Sequence, residues 1–340
     1  MATIRDVARE SGVSVATVSY VLNNGPRPVR DSTRQRVLAV MRRLDYHPNA
    51  MARGLVRRRL NTLGVLFSSV EAPVANNYAI CVLRGIMAAA ADQAYNITLF
   101  TRMWHDERCS ARFGDRRTDG ILVVAPLIGS DVVAGLAGRS GLPVVVVSAP
   151  SGDPQIPWLD VDNAAGAALA ARHLLELGHR RIAMLLGNED QTSIHQRRDA
   201  FVATLAEAGV TIPPAYWLPG SFDPACVYRN ARSLLSLPER PTAVFTANDD
   251  MALTVLEVAR GMGLDVPGDL SVVGFDDYPT SSKTLPPLTT VHHPLAEIGE
   301  AATRLLINRV EEQSDGPKEI VFAPELRIRG TTAPPPRPHM

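Results

Sequence analysis

The chain has 340 residues, 46% of them hydrophobic, with 35 Lys and Arg balanced by 35 Asp and Glu. That length exceeds one small core and suits two or three domains, and the apolar share argues against wholesale disorder. No apolar run reaches the roughly 18–20 residues of a membrane-spanning helix, and the N-terminus lacks a secretory apolar core. Cys81, Cys109 and Cys226 are scattered and odd in number, which argues against a disulfide framework or a CxxC metal knuckle. A cytoplasmic protein is expected. The zero net charge hides an asymmetry: residues 1–60 hold 12 Arg against 4 acids, so a basic head precedes an acidic body. Such a head suits a polyanion partner, or is a solvated arginine-rich face.

In chain order, Thr3 can cap a helix over Ile4–Glu10, with Asp6 completing a capping box. Gly12 breaks it, Ser14 caps a second helix over Val15–Leu22, and Asn23-Asn24-Gly25-Pro26 forces a loop. Asp31 or Ser32 starts a third helix, in which Val37, Val40, Met41 and Leu44 repeat at helical spacing. His47-Pro48 ends the block, and Asn49–Val56 can form a short fourth helix before Arg57-Arg58-Arg59. From residue 61 buried strand-like runs follow: Leu63–Phe67, Ile97–Phe100, Ile121–Ala125, Val144–Ser148, Ile182–Leu186, Ala243–Thr246 and Leu270–Gly274. Helix-length segments separate most of them, among them Ile80–Gln93, Ala164–Leu177, Ala200–Ala208 and Met251–Arg260. This alternation predicts an α/β body of doubly wound parallel sheets, long enough for two sheets with a cleft between them. The proline-rich tail, residues 331–340, is expected to be disordered.

Ala8, Gly12 and Val18 meet the demands of a helix-turn-helix: a small residue at the crossing, a turn residue tolerating φ > 0, and an apolar anchor. Ile4, Val7, Val18, Val21 and Leu22 supply a small core. Ala16, Ser19 and Tyr20 share the outer face of the second helix, with Val15 at its edge. The Ser14 and Thr17 hydroxyls suit phosphate oxygens, while Val15, Ala16 and Tyr20 suit base edges. Thr3-Ile4-Arg5-Asp6-Val7-Ala8, Gly12-Val13-Ser14-Val15-Ala16-Thr17-Val18-Ser19 and Tyr46-His47-Pro48-Asn49-Ala50-Met51-Ala52-Arg53-Gly54-Leu55 closely resemble the start of lactose-repressor (LacI/GalR) family transcription regulators. The resemblance runs through almost the whole chain.

It implies that Val15, Ala16 and Tyr20 read bases in the major groove, while Ser14, Thr17, Asn23 and Tyr46 contact the backbone. Many members carry Arg at the position of Tyr20, so the operator cannot be copied from relatives. Tyr20 can also be read as packing on the third helix. Residues 49–60 resemble the family's hinge helix and linker, with Asn49, Ala50 and Arg53 at the minor groove and Leu55 as the wedge between base pairs. The bland reading of Leu55 is interdomain packing. The domain plan is then a head over 1–48, the hinge over 49–60 and an effector-binding and dimerisation domain over 61–330. The last divides into an N-subdomain of about 61–160 and 292–321 and a C-subdomain of about 161–291 and 322–330.

The body resembles periplasmic sugar-binding proteins through Asp160-Val161-Asp162-Asn163, His173–Ile182, Thr246-Ala247-Asn248-Asp249, Val273-Gly274-Phe275-Asp276 and Pro286–Val291. By the same resemblance Arg197 grips the effector, Gln191 and Ser193 lie on the preceding loop, and Asn248 and Asp276 meet hydroxyl pairs. Phe222 and Tyr78 form aromatic walls. Arg197-Arg198 can equally be a surface pair, Asn248 a helix cap and Phe222 core. Residues 72–77 depart from the family's usual text, which leaves the wall at Tyr78 open. His173 and His179 do not share a helical face, and His292-His293 has no nearby acid or thiol partner except by chance, so no metal is expected, and no cofactor. The implied function is a homodimeric, allosteric repressor that binds double-stranded operator DNA and senses a small molecule, most simply a sugar. A nucleobase effector, as in purine-sensing members, is the alternative. An enzyme on a doubly wound fold is the rival of a different class, but no GxGxxG after the first strand, Walker loop or GxSxG elbow supports it.

Overall fold

The computed structural model describes residues 2–23, 28–47, 59–68, 76–100, 117–130, 132–218 and 220–336. The chain divides into two units, residues 1–60 and 61–340. In the first, helix α1 (Ile4–Ser11) starts on the Thr3–Asp6 capping box and stops at Gly12, whose φ of 64° is left-handed. Helices α2 (Val15–Asn23) and α3 (Asp31–Arg43) follow. Val7, Ala8, Val18, Val21, Val37 and Val40 close a small core, with Ile4, Leu22, Leu44 and Tyr46 packed against it.

The second unit holds two six-stranded sheets. The first takes β1 (Thr62–Phe67), β2 (Asn96–Phe100), β3 (Gly120–Val124), β4 (Val144–Val147), β5 (Trp158–Val161) and β11 (Glu319–Phe322), in the order β11-β5-β4-β3-β1-β2. The second takes β6 (Ile182–Leu185), β7 (Trp217–Leu218), β8 (Ala243–Thr246), β9 (Ser271–Asp276), β10 (Thr289–His292) and β12 (Glu325–Arg327), in the order β12-β10-β9-β8-β6-β7. Every recorded pairing is parallel except β10 with β12. The sheets therefore exchange chain after β5, after β10 and after β11. Strands such as Val144–Val147 are buried along their whole length, because helices cover both faces of each sheet.

Helices α4 (Asn77–Asp92), α5 (Val132–Ser140) and α10 (Leu295–Val310) accompany the first sheet. With the second go α6 (Asn163–Glu176), α7 (Thr192–Glu207), α8 (Pro224–Leu235) and α9 (Asp249–Gly261). Side-chain caps start four of the seven: Asn76, Asp162, Asp223 and Asn248 each accept the backbone N–H three residues on. Among the described residues no helix is long and apolar enough to cross a membrane.

The tail corrects one expectation. Residues 331–336 are not loose: Thr331 is fully buried, its hydroxyl donating to Val272 O, and Ala333 N–H donates to Ser271 Oγ. His179 lies 2.9 Å from Ala333 O and from Thr242 Oγ1, and His173 3.0 Å from Thr332 Oγ1. The prolines prevent regular structure but not docking, because the backbone between them still finds partners on the second sheet.

Candidate functional site

On the first unit, Ser14 accepts the Thr17 N–H at 3.1 Å, and the two hydroxyls meet at 2.9 Å. Val15 is 42% exposed and Ala16 is exposed, while Tyr20 and Tyr46 are half-buried. Val15 and Ala16 thus present apolar surface to solvent at the start of α2. The hinge residues Asn49, Ala50, Arg53 and Leu55, and the side chain of Asn23, lie outside the described residues.

On the second unit, all seven effector residues expected from the sequence line one cavity of about 600 Å³ between the two sheets: Tyr78, Gln191, Ser193, Arg197, Phe222, Asn248 and Asp276. It opens at the carboxyl ends of the strands, where parallel sheets present their loops. The backbone there is strained: Ala125 (φ 48°), Ser148 (φ 60°) and Asp276 (φ 110°) all line the cavity in left-handed conformations.

Arg197 is the organising group. It is 5% exposed, so it is no surface pair; its neighbour Arg198 bonds Asp199 instead. Its Nε donates to Asn163 Oδ1 at 2.9 Å and its Nη1 to Ala247 O, while Nη2 stands 3.5 Å from Asp276 Oδ1. The guanidinium lies 3.6 Å above the Phe275 ring centroid. Asp276 also receives the Tyr278 hydroxyl at 2.6 Å and His293 Nδ1 at 3.1 Å. Beneath them Asp249 accepts from Tyr278 N–H, Ser281 and Thr290, yet burial and the adjacent Asp276 charge push its carboxyl up to about 8.

The remaining walls are simpler. Phe222 lies against Gly187, where any Cβ would collide with its ring, and its N–H bonds Asn188. Asn248 does cap helix α9, its Oδ1 accepting the Met251 N–H at 2.9 Å, yet it also borders the cavity. Gln191 caps α7 without a side-chain bond and Ser193 lies in its first turn, so Ser193 is on a helix and not a loop. That helix begins eight residues earlier than the periodicity of Ala200–Ala208 suggests, because its first turns are polar. Among the described residues two hydrogen bonds cross the cleft: Asn77 Nδ2 to Asp250 Oδ1 at 2.7 Å and Ile128 N–H to Asp190 O at 2.7 Å.

Sequence reading missed Asn76, Ser148, Asp160, Asn188, Asp250, Tyr278 and His293 as cavity residues. The dismissal of His292-His293 as lacking acid partners is corrected: His292 Nδ1 lies 3.0 Å from Asp277, and His293 sits between Asp276 and Asp160. Those acids are 15 to more than 100 positions away, so no local pattern announces them. Asp160, inside a strand, carried the one available signal, a carboxylate where an apolar residue is expected.

Comparison with known proteins agrees with this architecture. The profile of bacterial regulatory proteins of the lacI family matches residues 3–49, and that of the periplasmic binding protein-like domain matches residues 171–332. The HTH-type transcriptional repressor PurR of Haemophilus influenzae is 33% identical over 336 residues, 97% of this chain and 98% of that protein. PurR of Mannheimia succiniciproducens is 34% identical over 97% and 98% of the two chains. The lac repressor dimer bound to operator and the anti-inducer ONPF superposes with a TM-score of 0.85 at 28% identity, over 98% of this chain and 99% of that one. A complex of the transcriptional regulator CelR with cellobiose gives 0.74 at 28% identity, over 97% and 100%. The chain therefore belongs to the LacI family. It is a ligand-responsive DNA-binding transcriptional repressor, and the family consists of regulators, not enzymes.

Proposed function

We propose that the repressor's effector is a small polyhydroxylated molecule of sugar type, held in the cavity between the two sheets. The carrying observation is the Arg197–Asp276 pair beside Asn248, Asn188 and Gln191, facing the Phe222 ring across about 600 Å³. Short planar polar groups fork onto vicinal hydroxyls while a ring covers an apolar sugar face. Similarity to the CelR–cellobiose complex favours the same class. The similarity to PurR repressors supports a nucleobase as the second reading, since Phe222 can stack on a heterocycle and Asp276 can accept from its ring nitrogens.

On this reading the protein acts in the cytoplasm as a homodimer, each head taking one half-site of a pseudo-palindromic operator. Val15, Ala16 and Tyr20 read the major groove; Ser14, Thr17, Asn23 and Tyr46 hold the backbone; Asn49, Ala50, Arg53 and Leu55 form the minor-groove hinge. Effector changes cleft closure and so biases DNA-competent against incompetent dimers. Thermal shift against cellobiose, D-ribose, D-glucose, hypoxanthine and guanine tests the class, since a ligand raises native stability by mass action. A shift by sugars that also alters retardation of a palindromic duplex is expected. A shift by hypoxanthine or guanine alone replaces the sugar with the nucleobase, and no duplex retarded at modest salt overturns the operator reading.

A further inference from the structure

Away from Arg197, the cavity face nearest the first sheet carries buried polar atoms with nothing to bond. Ser148 Oγ, Tyr78 Oη and His293 Nε2 have no hydrogen-bond partner among the described residues. Ser148 is 7% and His293 3% exposed. Asp276 accepts from His293 Nδ1, which leaves Nε2 as the ring nitrogen without a hydrogen-bond partner. Asp160, 3% exposed, receives the Val161 N–H at 2.8 Å and Asn163 Nδ2 at 3.0 Å, and His293 Nε2 stands 3.8 Å from it, beyond hydrogen-bond reach. Tyr78 lies close enough to Ser148, Asp160 and Asp276 for all three to bear on its ionisation, yet its hydroxyl and that of Ser148 do not meet in hydrogen-bond geometry.

All of these positions can accept: a carboxylate, an imidazole nitrogen when it carries no hydrogen, and two hydroxyl oxygens, which can also donate. The charges point the same way. Arg197 is matched by Asp276, whereas among the described residues the side-chain hydrogen-bond donors to Asp160 and Asp250 are the amides of Asn163 and Asn77. Burial pushes both of those carboxyl groups up from their ordinary range; His293 and Arg197 pull Asp160 the other way, but neither reaches hydrogen-bond distance of it. Buried donors and acceptors left unpaired are costly, so a ligand that supplies several donors and a positive charge is favoured there over one that supplies neither. A hydroxyl brings one donor; an ammonium brings three and the missing charge.

We infer that this face of the cavity receives a protonated amine, which makes the effector an amine-bearing polyol such as an amino sugar, with Asp160 as ion-pair partner and Ser148, Tyr78 and His293 as accepting neighbours. The inference rests on the polyol reading of the cavity and narrows it. It also disfavours phosphorylated and carboxylated sugars, which would bring a second negative charge to Asp160 and Asp250.

Titration calorimetry on the full chain tests this with two matched series: D-glucose, D-glucosamine and N-acetyl-D-glucosamine, and the corresponding galactose compounds. In at least one series the free amine is expected to bind about tenfold or more tighter than both its hydroxyl parent and its N-acetyl derivative. Asp160→Asn, which keeps shape and removes charge, is expected to erase that advantage, and Ser148→Ala to reduce it. A circular-dichroism melt establishes that both variants are folded, and either one suffices for the test. A neutral sugar binding as well as its amine overturns the inference and leaves the polyol reading standing. An amine advantage that survives in folded Asp160→Asn also overturns the inference alone. Binding of hypoxanthine with no response to any of the six sugars overturns both, as does silence from every probe.

Discussion

The two walls of the cavity are built on opposite plans. The wall carried by the second sheet is complete: Arg197, Asn163, Asp276, Tyr278 and the Ala247 carbonyl bond one another. Opposite, Ser148 and Tyr78 end in unused polar atoms, and among the described residues Asp160 is held by Asn163 and the Val161 N–H. A finished network is preorganised and presents a fixed surface, whereas an unfinished one is completed by what enters. Half of the site is therefore rigid before a ligand arrives, and the other half is where ligand identity is decided.

The largest expected effect comes from breaking the finished wall. Arg197→Met leaves Asp276 a buried carboxylate without its cation, so effector affinity should fall by about 100-fold and unfolding free energy by about 3–5 kcal/mol. Calorimetry and urea melts measure the two. Unchanged stability would mean that the network is not preassembled.

Next comes the acid beneath that wall. Burial raises Asp249 from 3.8 to about 8 in the folded chain. Its contribution to stability is therefore complete below about pH 4 and is lost progressively as pH rises from there through about 8. Asp249→Asn, with the Thr290 hydroxyl accepting in place of donating, should flatten that slope in urea midpoints taken across the same interval.

Smaller again is Gly187→Ala, which forces Phe222 from its seat and should weaken effector binding about tenfold, near 1.4 kcal/mol, with DNA affinity unchanged. Full affinity in the variant would remove Phe222 from the site. Least is Asn77→Ala. It deletes one of the two bonds across the cleft, and should cost about 0.5–1.5 kcal/mol of closure, read as faster amide exchange around Asp250 and Asp190.

Local pattern was enough to reveal the head and most of the interior of both sheets, though not the interior strands β5 and β10. Capping at Thr3–Asp6, the stop at Gly12 and the apolar period of α3 are short-range signals, and α1 to α3 formed where they pointed. Strands such as Val144–Val147 declare themselves because burial on both faces demands continuous apolar residues. Of the edge strands only β2 gave such a signal; Glu319–Phe322 is alternately exposed and Trp217–Leu218 has two residues.

The seven cavity residues were recoverable through the family resemblance, Asn248 and Asp276 from quoted motifs at strand ends. Asp160 lay in such a motif without a role being assigned to it; Ser148 and His293 were not singled out, and neither was the docking of residues 331–336 on His173 and His179. Each of those depends on groups far apart in sequence: His293 meets Asp160 across 133 positions and His179 meets Ala333 across 154. Sequence period encodes which face of an element is buried, because that depends on the residue and its near neighbours. Which polar atoms are left without partners depends on how the carboxyl ends of the two sheets are brought to face one another, and that only the folded chain decides.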